Sequence, residues 1–139
     1  MKSLNKVQSH LIAECFNKLY IGGQFVDAID GEKIPTYYPA TGELLHEFPR
    51  GKANDVDAAI AAAEAAWVEG TWAGMSAAER AEIVTKMAQG IEDNIAMLAE
   101  IEAADVGKPY RQAAMTLGGA AGEGKYWCSL GKVLDAEQD

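Results

Sequence analysis

An acidic, apolar-periodic stretch runs from Met75 to Tyr110 and closes on Glu102-Ala103-Ala104-Asp105-Val106-Gly107-Lys108-Pro109, and this closure limits the folds open to the chain more than any other feature. A glycine at the end of a helical repeat stops the helix, and a proline two residues later forbids its resumption. At the other end, Met75 precedes Ser76-Ala77-Ala78-Glu79, a capping box with a staple residue before it. Between them Ile83, Met87 and Ile91 share one side and are expected to be buried; the pattern resumes after Asp93 with Ile95, Leu98 and Ile101. The interruption from Gly90 to Asn94 predicts two successive helices. Asp105 falls in the last turn of the second, at the negative end of the helix dipole, where a carboxylate is disfavoured. Its charge calls for compensation, either from Lys108 nearby or from a cation that Asp105 ligates beside backbone carbonyls.

The residues before this stretch follow two periods. Leu19-Tyr20-Ile21 and Gln24-Phe25-Val26-Asp27-Ala28 read as strands joined through Gly22-Gly23, a hairpin signal, with Asp30-Gly31 as the next turn. Lys33 to Tyr38 is extended, and Pro35 marks it as an edge. Pro39-Ala40-Thr41-Gly42-Glu43 turns the chain into a further strand, Leu44 to Phe48. This predicts an antiparallel β-meander. Helical spacing takes over near Asn54, expected to be the cap or close to it, with Val56, Ile60, Ala63 and Trp67 on one apolar stripe that ends near Gly70. Residues 1–17 place Leu4, Val7, Leu11, Ile12 and Cys15 at helical spacing without strong caps, which fits a short leader helix or a frayed end. The segment from Arg111 to Leu134 is helical in period but diluted by Gly118, Gly119, Gly122 and Gly124, so it must be held by close packing or be marginal. Asp135 to Asp139 is expected to fray. The domain organisation is therefore a leader over 1–17, one domain over 18–134 and a tail over 135–139.

Of the 139 residues 49% are apolar and 24% charged, enough to bury a core. The formal charge of -9 is uneven: residues 51–139 hold seven Lys/Arg against fifteen Asp/Glu. That sign repels phosphate backbones and anionic lipid, so neither nucleic acid nor a membrane surface is expected as a partner. No apolar run has the length of a membrane span. Cys15 and Cys128 stand far apart, and neither they nor His10 and His46 fall at a metal-ligand spacing, which fits a reducing, cytoplasmic setting.

Two further motifs weaken on inspection. Gly119-Ala120-Ala121-Gly122-Glu123-Gly124-Lys125 imitates the start of a phosphate loop, but Tyr126 stands where a magnesium-binding Ser or Thr is required, and no strand precedes it. Cys128 lies beside Lys125, yet no base sits at helical spacing to activate it, and it reads as a structural cysteine.

Leu19 to Asp27, Tyr38-Pro39-Ala40-Thr41-Gly42-Glu43, Asp55 to Ala63, Met75-Ser76-Ala77-Ala78-Glu79-Arg80 and Glu102 to Pro109 together resemble, in order and spacing, the N-terminal region of NAD(P)-dependent aldehyde dehydrogenases, over about residues 18–134. The resemblance implies an α/β fold, a partial coenzyme-binding domain in which the strands are followed by helices. It implies oxidation of an aldehyde to a carboxylic acid through a thiohemiacetal on a cysteine, with NAD or NADP taking the hydride. It also places the family's nucleophilic Cys, general-base Glu, oxyanion Asn and dinucleotide-binding segments beyond this sequence. By that reading the chain is an N-terminal fragment, inactive alone, with no catalytic or cofactor-binding residue and no tightly bound dinucleotide. Its partners would be the remainder of the enzyme or a complementary subunit, and the complete enzyme a homo-oligomer. Asp105 and the backbone carbonyl of Tyr37 match a monovalent-cation site found in many relatives, although Tyr38 stands where Asn is usual. The alternative is a non-catalytic interaction module that keeps the scaffold.

Overall fold

The computed structural model describes residues 17–136, so the expectation of a leader helix lies outside it except for Asn17. Within that range four short strands precede four helices: β1 (Leu19–Ile21), β2 (Gln24–Val26), β3 (Lys33–Tyr37), β4 (Leu44–Pro49), α1 (Ala53–Glu69), α2 (Ala77–Asp93), α3 (Ile95–Val106) and α4 (Tyr110–Ala136). The order of antiparallel strands and then helices is the one read from the sequence. Chain contacts divide it into two compact units, one ending at Glu69 and taking in Ala104–Gly107, the other formed by Gly70–Ala103 and the chain from Lys108 onward.

In the first unit the strands pair as two separate hairpins. β1 and β2 are joined by Gly22 and Gly23 with φ of 60° and 78°, the double positive φ that matches the twist of a two-residue hairpin. Tyr20 and Phe25 face each other across it with ring centroids 5.0 Å apart. β3 and β4 pair with a bulge between Thr36 and Tyr37. Pro35 is tolerated opposite Glu47 because a two-stranded sheet has only edges. Leu45, buried, is the apolar anchor of this hairpin.

α1 begins one residue before Asn54, which is thus inside the helix and does not cap it. Lys52 takes the cap position, its carbonyl accepting the Val56 N–H at 3.0 Å. Asp55, 4% exposed, accepts the Lys52 N–H at 2.9 Å on Oδ2 and the Ile29 N–H at 2.9 Å on Oδ1, tying the turn after β2 to the start of the helix. Beyond this attachment α1 buries little: Val56, Ile60 and Trp67, the sequence stripe, are all exposed, Trp67 by 72%.

In the second unit Ser76 and Glu79 form the reciprocal capping box at the start of α2. Arg80 donates to the Met75 carbonyl and secures the entry. α2 ends at Asn94, whose side chain donates to the Gly90 carbonyl at 2.8 Å, and α3 starts at once. The core face of α2 is not the one its larger residues suggest. Ala81 and Ala88 are buried, whereas Met87 is 66% exposed and Ile83 lies at the surface. α4 is the reason: it runs antiparallel to α2 at close range, with Gly131 against Ala81 and Gly124 against Ala88, where a Cβ would stand 3.9 and 3.7 Å from the alanine methyl. Small residues on both sides let two helices approach more closely than Ile and Met would permit. Ala113, Ala121 and Cys128 complete the inner face of α4. An interior glycine costs a helix about 1 kcal/mol, and at Gly124 and Gly131 the close seam accounts for it. Lys125 latches the seam by bonding to Gln89 at 2.9 Å and to Glu92 at 2.5 Å.

Candidate functional site

Of the two residues singled out as a cation site, Asp105 is held in the first unit by the residue next to the other, Thr36. The last turn of α3 lies beside the bulged end of β3, where the Thr36 hydroxyl donates to Asp105 Oδ1 at 2.8 Å. Tyr37 is the next residue, at the bulge. Gly107 makes this approach feasible: its φ is 73°, and a Cβ there would meet Pro39 Cβ at 3.4 Å, tight contact in a backbone conformation that other residues avoid. The turn it faces is closed by the Gly42 N–H on the Tyr38 carbonyl at 2.8 Å and the Tyr38 N–H on the Glu43 carbonyl at 2.8 Å. Thus the helix stop and the Pro-x-x-Gly turn, the most distinctive local motifs, hold Asp105 against β3.

Lys108, one of the two compensations considered for Asp105, pairs with Glu102 at 2.5 Å. Asp105 instead has the neutral Thr36 hydroxyl on one oxygen, and its other oxygen has no hydrogen-bond partner among the described residues. Its charge at the helix C-terminus is therefore only partly offset. A carboxylate with a neutral hydroxyl on one oxygen is the kind of oxygen donor that hard cations take. Among the described residues there is no group of three His, Cys, Asp or Glu that could chelate a transition metal.

The other sequence candidates resolve differently. Residues 119–125 are all inside α4, so their N–H groups are spent on helical bonds and cannot cradle a phosphate, while Lys125 is engaged by Gln89 and Glu92. Cys128 is a free thiol, 8% exposed, within the α2–α4 seam. A cavity of about 250 Å³ opens at the start of α1 between Ile29, Asp30 and Asp55. It does not suit an anion. Lys52 at its wall is bonded to both Asp30 and Glu32 at 2.6 Å, and Arg50 to Glu32 at 3.2 Å. The hydrogen bond from Lys52, then that from the Glu32 N–H, hold Asp30 below the usual carboxylate range, and the two acids raise Lys52 in return.

Sequence reasoning missed Asp55 as a bridge. Its position, three residues after the cap, signals the bond to Lys52; the bond to Ile29 joins residues far apart in sequence and leaves no local trace. It also missed His46, whose Nε2 is buried without a hydrogen-bond partner, with the ring edge-on to Phe48 at 4.9 Å. Burial, then Lys33, pushes this imidazole below the ordinary histidine value of 6.5, against a smaller opposing effect of Glu47. The unfolded chain consequently takes up a proton first as pH falls, so stability should be unaffected above about pH 6.5 and should decline from there down to the lowered folded value. Urea titrations across this range should show that slope, and His46→Phe should flatten it.

The aldehyde dehydrogenase family profile matches residues 25–138, the greater part of the chain. The chain belongs to the aldehyde dehydrogenase family. A mitochondrial benzaldehyde dehydrogenase of Antirrhinum majus is 43% identical over 99 residues, which are 71% of this chain and 18% of that protein. A putative aldehyde dehydrogenase of Bacillus subtilis (strain 168) is 41% identical over 95 residues, 68% of this chain and 19% of that protein. This aldehyde dehydrogenase chain thus spans about a fifth of the length of the curated relatives it matches. Among solved structures, an NAD-dependent aldehyde dehydrogenase from Sinorhizobium meliloti superposes with a TM-score of 0.79 at 36% identity, over 82% of this chain and 23% of that one. The betaine aldehyde dehydrogenase of Staphylococcus aureus, solved with NAD+, shares the fold with a TM-score of 0.85 at 22% identity, over 94% of this chain and 26% of that one. The α/β fold implied by the five ordered motifs is therefore established, and no described helix is long and apolar enough to cross a membrane.

Proposed function

We propose that this chain forms the N-terminal scaffold of an NAD- or NADP-dependent aldehyde dehydrogenase and works with the rest of the fold, supplied either in the same chain, the complete enzyme then being a homo-oligomer, or by a complementary subunit. The observation that supports this reading most is the superposition on an NAD-dependent relative over 82% of this chain but only 23% of that one. In the complete enzyme an aldehyde is oxidised to a carboxylic acid and the nicotinamide accepts the hydride. Covalent oxidation needs an activated thiol beside an oxyanion hole. Cys128 is enclosed in a helix seam and is given no part in the chemistry, which the rest of the fold would supply. Two cysteines without a disulfide or metal-ligand spacing fit a reducing, cytoplasmic setting for the enzyme. The experiment is a graft: this chain replaces the corresponding segment of a full-length relative. The chimera should reduce NAD in the presence of an aldehyde, and a folded chimera without turnover would favour an interaction module.

Asp105 and the Tyr37 carbonyl hold a monovalent cation in this proposal, with the charge partly offset at the end of α3 as its basis. Sodium or potassium should raise the unfolding midpoint of the chain relative to tetramethylammonium at equal ionic strength. Asp105→Asn keeps an acceptor for the Thr36 hydroxyl but removes the charge, and it should abolish the difference. Equal midpoints in all three salts, or a shift that survives in the Asn variant, would rule the site out.

A further inference from the structure

We draw no further inference here: the strongest candidate, the apolar stripe of Val56, Ile60 and Trp67 on α1, exposed among the described residues, carries nothing because nothing in the structure shows what covers it.

Discussion

Replacement of Asp55 by alanine is expected to lower the unfolding free energy of the chain by about 3 kcal/mol, since each buried donor left without its acceptor costs roughly 1–3 kcal/mol. The carboxylate is buried and each of its oxygens takes one backbone N–H, from Ile29 and from Lys52. Alanine removes both acceptors at once. Asp55→Asn retains one oxygen but presents an NH2 group to the other N–H, so it should lose roughly half as much. The loss should appear as a lower urea midpoint with little change in slope. Hydrogen exchange should locate it, with the Ile29 and Lys52 amides losing protection first. An alanine variant within about 0.5 kcal/mol of the parent, as for an ordinary surface substitution, would mean that the bridge does not hold α1 to the hairpin.

Ala121→Leu is expected to cost about 2–3 kcal/mol, because added methylenes in a packed interface force side chains off their rotamers or displace the backbone. Ala121 is fully buried on the inner face of α4, between the positions where Gly118 meets Ile95 and Gly124 meets Ala88. A leucine there would have to push α4 away from its neighbours and would strain the Lys125 bonds to Gln89 and Glu92. Ala120→Leu, one residue earlier and exposed, is the control and should stay within about 0.5 kcal/mol. Urea unfolding of the two variants separates the cases. Equal effects would show that the α2–α4 seam is not close-packed.

Local chemistry was legible in the sequence. The capping box at Ser76 and Glu79, the break at Asn94, the stop at Gly107 and the hairpin at Gly22-Gly23 each depend on a few adjacent residues, and each is present. Which face of a helix turns inward was not legible, because it depends on what lies opposite. Ile83 and Met87 mark an apolar stripe, but the glycines and alanines of α4 set the distance of closest approach, and so Ala81 and Ala88 are buried in their place. Val56, Ile60 and Trp67 remain exposed for a related reason: in the first unit α1 is attached mainly by Asp55 and by the contact of the hairpin turn with Ala62. At the candidate site, the position of Asp105 at the end of α3 was readable. Its approach to Thr36 was not, since the two are 69 residues apart. Lys108, the nearest lysine in sequence, is taken by Glu102 on the helix turn before it.

In the proposed function this chain is a scaffold whose chemistry is supplied by the rest of an aldehyde dehydrogenase fold. NADH formation, followed by fluorescence with NAD and an aldehyde such as benzaldehyde, tests it most directly when measured for the lone chain and for the chimera side by side. The lone chain should form none, and the chimera should show sustained turnover. Turnover by the lone chain, or a folded chimera that forms no NADH, would contradict it.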